Sequence, residues 1–172
     1  MTEFINSHPD HFLFIVLLIS RIGDILTTYI ATPNLKLEGN PLVRKLRWPF
    51  AIISIFVAFV AYIDLDLALT VAVVFLLVCA SNASKMWMMR VLGEDEYLKL
   101  YYGLVQKASL GFSLVCLWAP PFFFLVLGIA LRAFTEGAGR HAADGFLFYA
   151  LVLGFYNTFS YLKNRKQLSH AA

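Results

Sequence analysis

"FLFIVLLISRIGDILTTYIA", residues 12–31, decides the architecture. It has the length of about 20 apolar residues that a helix needs to cross a bilayer. Arg21 and Asp24 are its only charged side chains. Four further runs of similar character follow, at about 47–64, 66–88, 106–131 and 144–162. In lipid only helices and closed barrels satisfy every backbone N–H and C=O. These runs are too long and continuous for barrel strands. The sequence therefore predicts an all-α, polytopic transmembrane bundle of five spans, forming one transmembrane domain over 1–172.

Composition agrees. The chain is 60% hydrophobic and only 15% charged, with a mean hydropathy of +0.72. A soluble domain is nearer 45–50% apolar and about 25% charged. The net charge of +3 is too small to imply nucleic acid as a partner. Cys79 and Cys116 both lie within apolar runs and read as free, packed thiols. The N-terminal "MTEFINSHPDH" is acidic and lacks the basic segment of a cleavable signal. The first run is therefore expected to persist as a span.

Basic residues orient the bundle. With the N-terminus outside, the cytoplasmic side receives Lys36, Arg44, Lys45 and Arg47, then Lys85, Arg90, Lys99 and Lys107, and finally Lys163, Arg165 and Lys166. Only Arg132 and Arg140 fall outside. This asymmetry predicts an N-out/C-in protein. The second and third spans are separated only by "IDLDL", so Asp64 and Asp66 must mark a very tight turn. Residues 94–105 carry apolar positions at helical spacing after Gly93. They read either as an interfacial helix or as an extension of the fourth span. "APP" at 119–121 is expected to kink that span.

Polar residues inside the spans are the candidate site. An aspartate near a helix centre costs about 2.5–3.5 kcal/mol on insertion scales. Asp24, Thr27 and Thr28 follow i, i+3, i+4 spacing and share one helix face with Arg21. Asn82 and Lys85 on the third span and Asn157 on the fifth fall at a similar depth. One reading is a pocket open to the cytoplasm. The other is packing: an Arg21–Asp24 ion pair, threonines bonded back to their own helix, asparagines as interhelical glue and Lys85 snorkelling.

The loop "TPNLKLEGNPLVR", residues 32–44, adds Glu38 and Asn40. Pro33 should end the first helix, and Pro41 suits the first position of a new one. Folded back on the bundle, the loop would bring Glu38 toward Asp24. Carboxylates, hydroxyls and amide oxygens are hard ligands, so Asp24 and Glu38 are the candidate pair for a divalent cation. His8-x-x-His11 has helical ligand spacing, but Pro9 between the two and the terminal position argue against a metal there.

The pattern Asp24-x-x-Thr27-Thr28 followed by Glu38-x-Asn40-Pro41 resembles a motif in a family of small prokaryotic multi-spanning membrane proteins. The likeness covers residues 24–41. Related sequences place a glycine shortly before the Glu-x-Asn-Pro, where this chain reads "PNLK". The resemblance implies location in a prokaryotic inner (plasma) membrane and a shared polar site, and supplies no activity.

Three functions fit these residues. The first is binding or conduction of a small ion or polar solute, with Asp24 as the charge centre, in a homo-oligomer or larger membrane complex. The second is a non-catalytic assembly subunit. The third is a metal-dependent membrane enzyme acting on a lipid or isoprenoid phosphate, with Lys85 or Arg44 meeting the phosphate.

Overall fold

The computed structural model describes residues 7–36 and 41–171, without the side chains of 41, 42, 44 and 167–171. Helix α1 spans Pro9–Ala31. Proline is tolerated at its start because that N–H has no intrahelical acceptor. The helix closes at Thr32, whose backbone leaves the helical region (φ −143°, ψ 72°), as expected of a residue preceding Pro33. Helix α2, Pro41–Ile53, begins at the expected proline. Its backbone turns sharply at Arg47 (φ 56°, ψ −152°). Pro49, two residues on, cannot donate into a regular helix and crowds the carbonyl four residues earlier.

Beyond Ile53 the second span winds more tightly. Ser54–Tyr62 is a nine-residue 3-10 helix, although runs beyond three or four residues are uncommon. At about 2.0 Å per residue it covers about 18 Å, where an α-helix would cover about 13–14 Å. The membrane-crossing segment Lys45–Tyr62 has only 18 residues. Winding half of it as 3-10 lengthens it by about 4–5 Å toward a hydrocarbon core of about 30 Å. The same winding aligns positions i and i+3, so Ala58 and Ala61 form one buried, narrow seam. Phe56, Phe59 and Tyr62 line up on an exposed face.

Helix α3, Leu65–Leu92, follows the tight turn expected at the two aspartates. The Asp64 carboxylate accepts from the Asp66 and Leu67 N–H groups, both at 2.9 Å, and satisfies two donors the helix start leaves open. Gly93 (φ 77°) turns the chain into α4, Glu94–Lys107. Helix α4 is separate from the next span: Ala108 and Ser109 are extended between them. Helix α5 is Leu110–Phe134 and α6 is Ala138–Ala171. The expected kink is not a break, since α5 runs on through Pro120 and Pro121, with Pro121 fully buried. Two lost N–H donors do not end a helix whose neighbouring turns remain bonded.

Five helices are long and apolar enough to cross a membrane, and the described residues contain no strand. Helix α3 is central, packing on α1, the 3-10 helix, α4 and α6, while α5 packs on α6. Small residues set the spacing. A Cβ on Gly145 of α6 would lie 2.8 Å from the Thr70 carbonyl oxygen and 2.7 Å from the Val73 Cβ, so α3 and α6 touch through backbone. Leu17, Ala58, Ala61, Ala68 and Ala72 form the buried core where α1, the 3-10 helix and α3 meet. Cys79 and Cys116 are both free.

Candidate functional site

Arg21 and Asp24 lie one turn apart on the face of α1 that meets α3 and the 3-10 helix. They form an ion pair, and their side chains are only 15% and 12% exposed. Both carboxylate oxygens are engaged: Oδ2 by the Arg21 guanidinium, and Oδ1 by the Asn82 amide of α3, which donates at 2.7 Å. Arg21 Nε also donates to Ser54 Oγ at 2.8 Å, and Ser54 donates on to the Ala51 carbonyl. The guanidinium carbon sits 5.1 Å from the Phe75 ring centroid, close enough for a cation–π contact. One polar chain thus ties three elements together inside the hydrophobic layer.

Local sequence explains the assembly. Gly23 permits the close approach: a Cβ there would lie 3.0 Å from Cys79 Sγ. Cys79 is three residues from Asn82 on α3, so the contact sits one turn from the Asn82–Asp24 bond. Thr27 bonds back to its own helix, with Oγ1 2.9 Å from the Gly23 carbonyl oxygen and 3.0 Å from that of Asp24. Among the described residues no buried side-chain nitrogen or oxygen lacks a hydrogen-bond partner.

The residues singled out in the sequence therefore divide. Arg21, Asp24 and Asn82 come together. Thr27 and Thr28 share their helix and are half-buried, but Thr27 spends its proton on backbone. Lys85 is exposed and lies outside the hydrogen-bonded chain. Asn157 is half-buried on α6, which packs on α3, α4 and α5 rather than against the Arg21–Asp24 face. Beside it, Trp118 Nε1 of α5 donates to Thr158 Oγ1 at 2.9 Å. Glu38 and Asn40 lie outside the described residues, as does the side chain of Arg44.

Two residues carry more than their sequence context suggested. Ser54 sits in an apolar stretch and completes the network from the 3-10 helix. Glu94 reads as an acidic first-turn residue but is buried, 8% exposed. Its carboxylate accepts from the Asn34 N–H at 2.8 Å, the Lys36 N–H at 3.1 Å and the Asn34 side-chain amide at 3.3 Å. Leu35 between them has φ 57°, which turns the two flanking amides toward one anion, as in backbone nests. Lys36 also pairs with Asp95 at 2.7 Å, a hydrogen bond that holds its ammonium above the ordinary lysine range. The loop after α1 is thereby clamped to the start of α4.

Open clefts lie at this loop. One, of about 590 Å³, runs between Pro33–Lys36 and Arg47/Trp48. Another, of about 230 Å³, lies between the loop and Arg90, Glu94 and Asp95. Neither is lined by Arg21, Asp24 or Asn82. Comparison with protein-family models, curated proteins and solved structures finds no match to this chain.

Proposed function

We propose that this multi-pass membrane protein binds or conducts a small cation or polar solute at Asp24. The observation that carries this reading is a buried intramembrane carboxylate with a tethered cation on it. Asp24 supplies two carboxylate oxygens, and the Thr27 hydroxyl lies one turn on along the same helix. A carboxylate is a hard ligand and suits a hard ion. Arg21 holds the place of that ion, so binding is an exchange: the guest displaces the guanidinium. The basic-residue asymmetry supports an N-out/C-in orientation, which puts Asp24 nearer the cytoplasmic surface, and the family resemblance supports a prokaryotic plasma membrane. The Asp24-x-x-Thr27-Thr28 pattern and its likeness to small prokaryotic membrane proteins support a polar site at the same place.

The test is thermal unfolding of the purified protein in Na⁺, Ca²⁺ or Mg²⁺ against a bulky organic cation at equal ionic strength. Arg21→Gln vacates the tethered cation's place while keeping Asp24. Its melting temperature should rise with one of the small ions, and Asp24→Asn should abolish that rise. No ion-specific rise in Arg21→Gln sinks the exchange reading.

Saturation of the network favours a second reading. Both Asp24 oxygens already have donors within the chain, as a clamp between helices requires. On that reading the protein is a non-catalytic subunit whose partners are other membrane chains, or copies of itself. Native mass spectrometry would then show a complex that dissociates in Asp24→Asn, with no ion lost.

A further inference from the structure

At the end of the bundle where α1 begins, three metal-binding side chains converge. The ligand atoms of His8, Asp10 and His11 all lie within 4.8 Å of one another. The two imidazoles stack with centroids 5.5 Å apart and planes inclined by 19°. Pro9 does not disrupt the spacing, contrary to the expectation from sequence. It occupies the first position of α1 and starts the helix whose first turn carries Asp10 and His11, with the Phe12 N–H bonded to the His8 carbonyl at 3.2 Å.

We infer that His8, Asp10 and His11 form a site for a divalent transition-metal ion of the zinc or copper type. Two imidazoles and one carboxylate are borderline ligands, which favour Zn²⁺, Cu²⁺ or Ni²⁺ over Mg²⁺ or Ca²⁺. Zinc–nitrogen bonds of about 2.0–2.1 Å place tetrahedral ligand atoms about 3.4 Å apart. The side chains must therefore close in by no more than about 1.4 Å, by rotation alone. Their exposure leaves room for that: His8 and His11 are exposed and Asp10 is half-buried. The Asp10 carboxylate offsets the partial positive charge of the helix start.

The second span supports the site from the side. Tyr62 Oη lies 3.1 Å from His11 Nδ1, and its ring meets the imidazole edge-on at 5.5 Å. With Nδ1, which also lies 3.6 Å from the Asp10 carboxylate, held by Tyr62, His11 would ligate through Nε2, and an outer partner of this kind fixes the orientation of a ligating histidine. With three protein ligands, the fourth position is left to water. Filling the site would pin the start of α1 to the end of the 3-10 helix. This site is independent of Asp24 and of the function proposed for it.

Zn²⁺ titration of the full chain, carrying a tag without histidine and followed by isothermal calorimetry in detergent, tests this. One equivalent should bind. Affinity should fall more than about tenfold in His8→Ala and in His11→Ala, at least the loss typical of removing an outer partner. His141→Ala should bind as wild type does, although His141 lies 3.3 Å from Asp66 and is the other described histidine beside a carboxylate. Cu²⁺ in place of Zn²⁺ should give an electron paramagnetic resonance spectrum with two nitrogen couplings, reduced to one in His11→Ala. Circular dichroism would confirm that the variants remain helical. No stoichiometric binding, or binding unchanged in both histidine variants, overturns the site.

Discussion

Removing both halves of the Arg21–Asp24 pair should cost less than removing either. The two side chains are 15% and 12% exposed, so each charge is largely withdrawn from water. Arg21→Met leaves a carboxylate with only the Asn82 amide to stabilise it. Asp24→Leu leaves a guanidinium with only a serine hydroxyl and the Phe75 ring. An uncompensated charge at this depth costs about 2.5–3.5 kcal/mol, so each single variant should lose about 3 kcal/mol. The double variant carries no charge there. It loses chiefly the Asn82–Asp24 and Arg21–Ser54 hydrogen bonds, at about 0.6 kcal/mol each in membranes. Ser54 stays satisfied through its bond to the Ala51 carbonyl. The double variant should thus lose only about 1 kcal/mol, a coupling of about 5 kcal/mol between the two sites. Reversible unfolding in mixed micelles by dodecyl sulfate titration, followed by tryptophan fluorescence, measures all four proteins. Additive losses, within about 0.5 kcal/mol, would show that the charges do not depend on one another and refute the network.

Other perturbations probe the rest of the molecule. Gly145→Ala should lose about 1–2 kcal/mol in the same unfolding assay, because overpacking against α3 outweighs the gain in helix propensity; unchanged stability would contradict backbone contact between α3 and α6. Glu94→Ala should speed hydrogen exchange at the Asn34 and Lys36 amides at least about tenfold, since a charge-assisted hydrogen bond is worth about 1.5–3 kcal/mol; equal rates would mean that the clamp does not hold the loop. A fluorescent protein fused after the C-terminus should fold in the cytoplasm, and alkaline phosphatase fused after Glu136 should be active. The reverse pattern would invert the proposed orientation.

Much of the architecture was legible because the signals that set it are local or additive. Run length and hydropathy marked all five spans, and Asp64, Pro33, Pro41 and Gly93 marked turns through chemistry that acts within a few residues. The 3-10 winding of Ser54–Tyr62 was not legible. Its residues are equally apolar in either helix, and the choice depends on span length against membrane thickness and on fitting Ala58 and Ala61 into one seam. The burial of Glu94 was not legible for a related reason. Three acidic residues at a helix start look alike in sequence, and only the path of the loop after α1 decides which one is taken up by the Asn34 and Lys36 amides.

The site shows the same divide within a single helix. That Arg21 and Asp24 meet follows from spacing of three residues on a helix, whatever surrounds them. Asn82 and Ser54 join them only because α3 and the 3-10 helix are rotated to present those positions, and Gly23 against Cys79 fixes that rotation by letting the backbones close in. Asn157 and Lys85 sat at a plausible depth but on faces turned elsewhere, since depth is read from distance along a span and facing is not. A polar residue in a span thus announces that it has a partner, while the small residues beside it determine which one. Gly23 belongs to the Asp24 site as surely as Asn82 does, and a bulky side chain at position 23 should disconnect Asn82 from Asp24 without touching either.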